Sequence, residues 1–170
     1  MPRPIRLYVR YVDLMNRKIG RFAMLLIFAL GALLLYSTLS RVLFKVPVNW
    51  VLEMSQFILS AYYLLGGAYS LQLNAHVRMD LFYSRWSPRQ KAAVDAFTIL
   101  FIIFYLGVLF YGGWSSSEYA ITYKQKNYTS WAPQLWPIKV VMTIGIFLML
   151  LQAISSFFKD LAIARGKPIE

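Results

Sequence analysis

The 170-residue chain is strongly apolar and strongly basic, with 18 Lys and Arg against 7 acidic residues and a net charge of +11. Hydrophobic residues make up 59% of the chain and charged residues 15%, whereas soluble domains average about 45–50% apolar and about 25% charged. This composition excludes an ordinary soluble domain. It predicts one all-α integral membrane domain over residues 1–170, because helices satisfy their own backbone hydrogen bonds in lipid.

Residues 4–20 have the pattern of an amphipathic helix. Apolar residues recur at spacings of three and four, at Ile5, Tyr8, Val12, Met15, Ile19 and Phe22. Arg6, Arg10 and Arg17 follow the same rhythm on a neighbouring face and are predicted to be interfacial anchors. We expect this helix to lie in the membrane plane, with its arginines at anionic lipid headgroups and a bend at Gly20. The alternative is that the first spanning helix continues straight into the cytoplasm.

Four apolar runs are long enough to cross a bilayer. They cover residues 22–44, 50–73, 92–114 and 138–158. At about 1.5 Å per residue, each helix reaches about 30 Å or more, the thickness of a hydrocarbon core. None of the runs alternates apolar and polar residues as a barrel strand does, so we predict four transmembrane helices. The first run exceeds the apolar length of a signal peptide and is predicted to be retained.

Basic residues are unevenly distributed among the segments outside the four runs. Thirteen of the 18 Lys and Arg lie before the first run, between the second and third, or after the fourth. By the positive-inside rule, both termini are therefore predicted to be cytoplasmic. Because the basic residues lie near the ends of the runs instead of forming one stripe, no nucleic-acid partner is predicted.

The cytoplasmic segment 76–91 contains a helix start and an aromatic cluster. Ser87, Pro88 and Gln90 match an N-cap, a first-turn proline and a capping-box residue, so the third helix is predicted to begin near Pro88. Trp86 belongs to the aromatic cluster and is predicted to be an interfacial anchor.

The same segment also contains His76 and Asp80, which together suggest a metal site or a proton relay. One His and one Asp are too few for either, so we interpret Asp80 as pairing with Arg78 or Arg85. The sequence lacks Cys and the common catalytic motifs, and it predicts no enzyme, no metal and no cofactor.

The outer segment 122–139 is rich in tryptophan and tyrosine. Trp131 and Trp136 are predicted to be interfacial anchors of an outer aromatic belt. The segment is too polar to face lipid, so it is either an ordered cap on the helices or a docking surface.

Glu53 is the best candidate for a functional charge within a span. It lies in the first turn of the second helix after Asn49, a predicted N-cap, where the helix dipole stabilises a carboxylate. The alternative is that Glu53 couples protons or pairs with a basic residue of a partner. Gly66 and Gly67 are predicted packing positions, either within the chain or against another subunit.

The whole pattern resembles the small membrane (Q) subunit of tripartite ATP-independent periplasmic (TRAP) transporters. The resemblance lies in the four-span plan, the basic amphipathic start, and the segments HVRMDLFYSRWSPRQKAAVD and FYGGWSSSEYAITYKQKNYTSWAPQLWPIK. It implies a multi-pass protein of the bacterial inner membrane that supports a large membrane (M) subunit and helps a periplasmic solute-binding protein to dock. It also implies sodium-coupled uptake of organic acids.

On this interpretation, the charged docking surface consists of the outer residues Arg41, Lys45, Glu118, Lys124 and Lys126. The second hypothesis is a self-contained small transporter that works as a homo-oligomer with Glu53 as its coupling group. A third, a membrane-bound enzyme subunit, requires a bound cofactor.

Overall fold

The computed structural model describes residues 3–73 and 88–164. Over these ranges it consists of four helices without a β-strand: α1 (Arg3–Phe44), α2 (Trp50–Gln72), α3 (Pro88–Thr122) and α4 (Trp136–Ala164). The predicted all-α class is confirmed. The described part of α3 is helical from Pro88, near which a helix start was predicted, and α3 and α4 extend beyond the apolar runs that predicted them.

The helices are arranged as a row in the order α1, α2, α4, α3. Leu106, Ile146 and Ala153 form a small buried cluster between α3 and α4. The chain buries 39% of the most apolar part of α4, but only 11% of that of α1 and 17% of that of α3. The row therefore leaves most of the apolar surface of its two edge helices uncovered.

Three of the described helices, α1, α3 and α4, are long and apolar enough to cross a membrane. The 23-residue α2 is not among them, because Gln56, its serines and its glycines lower its hydropathy. Its packing places it at the depth of α4, however. Gly145 lies against Leu64 and Met149 lies against Gly67, so the two helices run side by side in the same direction. This supports the prediction of a fourth transmembrane helix, which remains a prediction.

The expected bend at Gly20 is not present as a break, since α1 is a single helix of 42 residues. A β-carbon at Gly20 would overlap the side chain of Tyr69. The physical role of this glycine is therefore to let α1 and α2 approach closely. A separate in-plane helix over residues 4–20 is not confirmed.

The N-terminal part of α1 packs against the second half of α4. Tyr8 Oη donates to the Leu151 carbonyl at 3.1 Å, and Asn16 Nδ2 donates to Gln152 Oε1 at 2.7 Å. The ring of Tyr8 is also 6.4 Å from that of Phe158. The beginning of α1 and the end of α4 therefore lie at one end of the row, which we call the inner end. The opposite end, which contains Trp131, is called the outer end.

Candidate partner-binding surfaces

A polar cluster joins α1 to α4 at the inner end. We call it the inner polar cluster, and it consists of Asp13, Asn16, Gln152, Ser155 and Lys159. Asp13 accepts hydrogen bonds from Gln152 Nε2 at 3.0 Å and Ser155 Oγ at 3.3 Å, and it pairs with Lys159 Nζ at 2.5 Å. Asn16, Gln152 and Ser155 are buried. Because buried polar groups are costly unless they are paired, this cluster fixes α1 on α4.

The three predicted arginine anchors lie together beside the inner polar cluster. Arg6, Arg10 and Arg17 are exposed and line an open groove of about 820 Å³ with Gln72 and Lys159. Their guanidinium groups are available to phosphate groups at a membrane surface. The anchoring role stays a prediction.

Several predicted features of the inner side lie outside the described residues. They are the anchor Trp86, the possible relay residues His76 and Asp80, and the arginines Arg78 and Arg85. Among the residues that are described, no group of three or more His, Cys, Asp or Glu side chains is placed to hold a metal ion.

The outer loop, residues 123–135, connects α3 to α4 and is held mainly by backbone hydrogen bonds. Leu135 N donates to Gln125 O at 2.9 Å, and Asn127 N donates to Pro133 O at 3.0 Å. Lys139 Nζ anchors the loop from α4 by donating to Gln125 Oε1 at 2.8 Å. The loop is therefore ordered, and this order is compatible with both a cap and a docking surface.

Lys124 follows the end of α3 by two residues and has an unusual backbone conformation. Its φ is 46°, Gln125 N donates to Ala120 O at 3.1 Å, and Lys124 N donates to Ile121 O at 3.4 Å. These two bonds form a Schellman motif, in which glycine is the preferred residue at the left-handed position. Lysine has a β-carbon that disfavours this conformation. The position therefore carries a charged side chain at some cost in stability.

The predicted outer tryptophans lie next to further aromatic residues. The ring of Trp131 is 6.4 Å from that of Trp50, which is 6.4 Å from that of Tyr36. Trp136 Nε1 donates to Gln134 Oε1 at 2.7 Å. Trp131 and Trp136 are both exposed. Rings with one polar atom are suited to a membrane interface, but the anchor role of these two residues stays a prediction.

The five predicted docking residues are exposed: Arg41, Lys45, Glu118, Lys124 and Lys126. They lie towards the outer end, at the end of α1, in the last part of α3 and in the outer loop. In the ranges 3–73 and 88–164, none of them takes part in an ion pair or in a side-chain hydrogen bond. Their charges are therefore available to a partner.

Glu53 is buried, with 6% of its surface exposed, and its Oε2 atom has no hydrogen-bond partner in the described structure. Asn49 occupies the N-cap position of α2 but has helical backbone angles and makes no side-chain cap bond. The predicted position is therefore correct, but the Asn49 side chain does not cap α2, because a capping side chain requires the extended conformation that precedes a helix.

The two glycines predicted for packing have different environments. A β-carbon at Gly67 would lie 2.9 Å from Met149 Sδ, so Gly67 packs within the chain. A β-carbon at Gly66 would meet nothing within 4 Å. Gly66 therefore faces open space.

The inner polar cluster and one close helix contact were not predicted from the sequence. Gln152 and Ser155 are polar residues within the last apolar run, and that rarity was a usable signal. Gly145 is a third close-contact glycine: a β-carbon there would lie 2.8 Å from Leu64 Cβ. Only its small size in an apolar run marks it.

These observations define a helical membrane protein that covers little of its own apolar surface. Its outer end has exposed charged side chains that form no ion pair within the described residues. Residues 30–163 match the family model of the DctQ component of tripartite ATP-independent periplasmic transporters. Since the match covers most of the chain, the protein belongs to the DctQ family and is the small component of a TRAP transporter. This confirms the resemblance inferred from the sequence. The family comprises transporter components rather than enzymes. No match is found among curated proteins.

Proposed function

We propose that the chain is the scaffold subunit of a sodium-coupled, binding-protein-dependent TRAP transporter for organic acids. It binds the large membrane subunit and helps form the platform on which the periplasmic solute-binding protein docks. It lies in the bacterial inner membrane with both termini in the cytoplasm. The observation that supports this best is the row of helices, which leaves most of the apolar surface of α1 uncovered by the chain itself.

A supporting role agrees with the placement of charge inside the row. Transport pathways usually contain ionisable groups within the membrane. In the described parts of the helix row, the buried polar and charged residues include a single carboxylate, Glu53. Asp13 and Lys159 neutralise each other at the inner end. We therefore assign the transport path to the large subunit.

The docking role is based on the outer end. The outer loop is ordered, and the nearby charges are not used within the chain. Charges of this kind increase the rate of association and fix its orientation more than they add to affinity.

Uptake into proteoliposomes tests the proposal. The small subunit, the large subunit and the binding protein together should transport an organic acid in a sodium gradient, and omission of any one should abolish uptake. Transport by the large subunit and binding protein at an undiminished rate without this chain would contradict the supporting role.

Charge reversal tests the docking platform separately. Reversal of Lys124 and Lys126 together to Glu should lower the association rate of the binding protein by about tenfold at low salt. Lys126→Glu alone should have a smaller effect, and Lys18→Glu is its matched control because Lys18 is exposed near the inner end. Unchanged association and uptake in the double variant would contradict the docking role.

The self-contained transporter remains the second candidate because Glu53 is buried with an unpartnered oxygen. It requires the chain alone to transport solute in proteoliposomes, and Glu53→Gln to abolish that transport. Absence of uptake by the chain alone, with full uptake by the complete complex, would exclude it.

A further inference from the structure

One face of α2 is only partly covered by the described parts of the chain. It is formed by residues spaced alternately by four and three: Leu52, Gln56, Leu59, Tyr63, Gly66 and Ser70. We call these six residues the α2 face. Leu52 and Tyr63 are 62% and 66% exposed, Gln56 is exposed, and Gly66 and Ser70 are half-buried. In the described parts of the chain, α2 packs against α1 and α4.

The α2 face contains polar groups at membrane depth. Tyr63 is thirteen residues from the start of α2, about 20 Å along the helix. Neither the Gln56 amide nor the Tyr63 hydroxyl has a hydrogen-bond partner in the described part of the chain. Lipid tails offer no partner to such groups, and an unpaired polar group in hydrocarbon is costly. Lipid alone is therefore a poor cover for this face.

Gly66 gives the α2 face room for a close approach. Nothing lies within 4 Å of the position of its missing β-carbon. Beside it is an open groove of about 550 Å³, which Gly20, Met24 and Tyr62 also line. Small residues of this kind let the backbones of two membrane helices approach each other, and polar side chains hydrogen-bond between them.

The corresponding face of α3 is different. Phe97, Phe101, Phe104 and Val108 have the same spacing and are between 59% and 74% exposed. At these four positions the side chains have no hydrogen-bonding group, so lipid satisfies them; Tyr111 and Ser115 continue the spacing towards the outer end and are exposed. Between Phe97 and Val108, therefore, the α3 face differs from the α2 face in having no polar side chain.

We propose that one transmembrane helix of the large membrane subunit packs along the α2 face, with hydrogen-bonding side chains opposite Gln56 and Tyr63. This inference rests on the proposed function. It assigns the interface to a particular face of one helix. The stripe Phe97 to Val108 of α3 then faces lipid.

Because the chain has no Cys, single spin labels can test this assignment. Labels are attached at Gln56→Cys and Tyr63→Cys, and matched labels at Phe101→Cys and Phe104→Cys. When the large subunit is added in proteoliposomes, collisions of oxygen with the two α2 labels should fall several-fold, while those with the α3 labels stay constant. A fall at the α3 labels alone, or at neither pair while the complex forms, overturns the inference and leaves the proposed function intact.

A pair of adjacent glycine variants gives a second test. Gly66→Leu should leave the isolated subunit folded but reduce co-purification with the large subunit several-fold. Gly67→Leu should destabilise the isolated subunit, because Met149 occupies that space. Full co-purification of Gly66→Leu overturns the inference.

Two other outcomes are distinguishable. If the α2 labels lose oxygen access in the chain alone as its density in the membrane increases, a second copy covers the face and the inference is wrong. If the wild-type chain does not bind the large subunit at all, the proposed function itself fails.

Discussion

The two ends of the helix row use polar residues in opposite ways. At the inner end, Asp13, Gln152 and Lys159 bind one another and fix α1 on α4. At the outer end, backbone bonds hold the loop while the side chains of Lys124 and Lys126 remain exposed. The difference indicates that the inner end stabilises the chain itself, whereas the outer end is available for recognition.

The largest expected effect is at the inner end. Gln152→Leu removes the acceptor for Asn16 Nδ2 in a site where Asn16 Oδ1 already lacks a partner. We expect a loss of about 1–3 kcal/mol in the free energy of unfolding, the usual cost of leaving a buried polar group unpaired. Denaturant unfolding in detergent measures it.

Thr98→Val is the control, because the Thr98 hydroxyl is exposed and bonds only to the Val94 carbonyl of its own helix. We expect it to change stability little. Equal losses in the two variants would mean that the inner polar cluster contributes nothing particular to stability.

The inner end also shows what the sequence can and cannot predict. The apolar runs located the four helices, and three of these helices are apolar enough to cross a membrane, where lipid requires every backbone group to be paired within the helix. The contact between Asn16 and Gln152 joins residues 136 positions apart, and no local pattern specifies such a pair. Gly20 suggested a bend, because glycine in a helix either permits a bend or lets a second helix approach closely. Only the position of Tyr69 identifies close packing as its role here.

The sequence predicted which residue types lie at the outer end, but it did not predict the backbone conformation of the outer loop. The exposed charges and the tryptophans follow from the sequence, since polar and aromatic residues collect at membrane interfaces. The Schellman motif was missed because its left-handed position is occupied by Lys124 instead of glycine. Pairing of Gln125 with Leu135 depends on the fold of the whole loop.

A smaller effect of opposite sign is expected at Lys124. Lys124→Gly should stabilise the chain by about 1 kcal/mol, because glycine adopts a positive φ without a steric penalty. Lys126→Gly is the matched control, since it removes the same charge at a position without a positive φ. Thermal unfolding in detergent compares them. Destabilisation by Lys124→Gly would show that the lysine side chain contributes to the fold.

The smallest effect is expected at the link between the outer loop and α4. Lys139→Met removes the bonds to Gln125 Oε1 and to the Ser116 carbonyl, and we expect a loss of about 0.5 kcal/mol because water can replace this donor at a half-buried site. Lys126→Met is the control, since the exposed Lys126 side chain has no partner in the described structure. A loss as large as that of Gln152→Leu would contradict the contrast between the two ends.

Amide hydrogen exchange tests the contrast itself most directly. The small subunit in complex with the large subunit is compared with and without the binding protein, and protection is measured in the outer loop and in residues 3–20. We predict that the binding protein slows exchange in the outer loop and leaves residues 3–20 unchanged. Protection of residues 3–20 with none in the outer loop would contradict the assignment of recognition to the outer end.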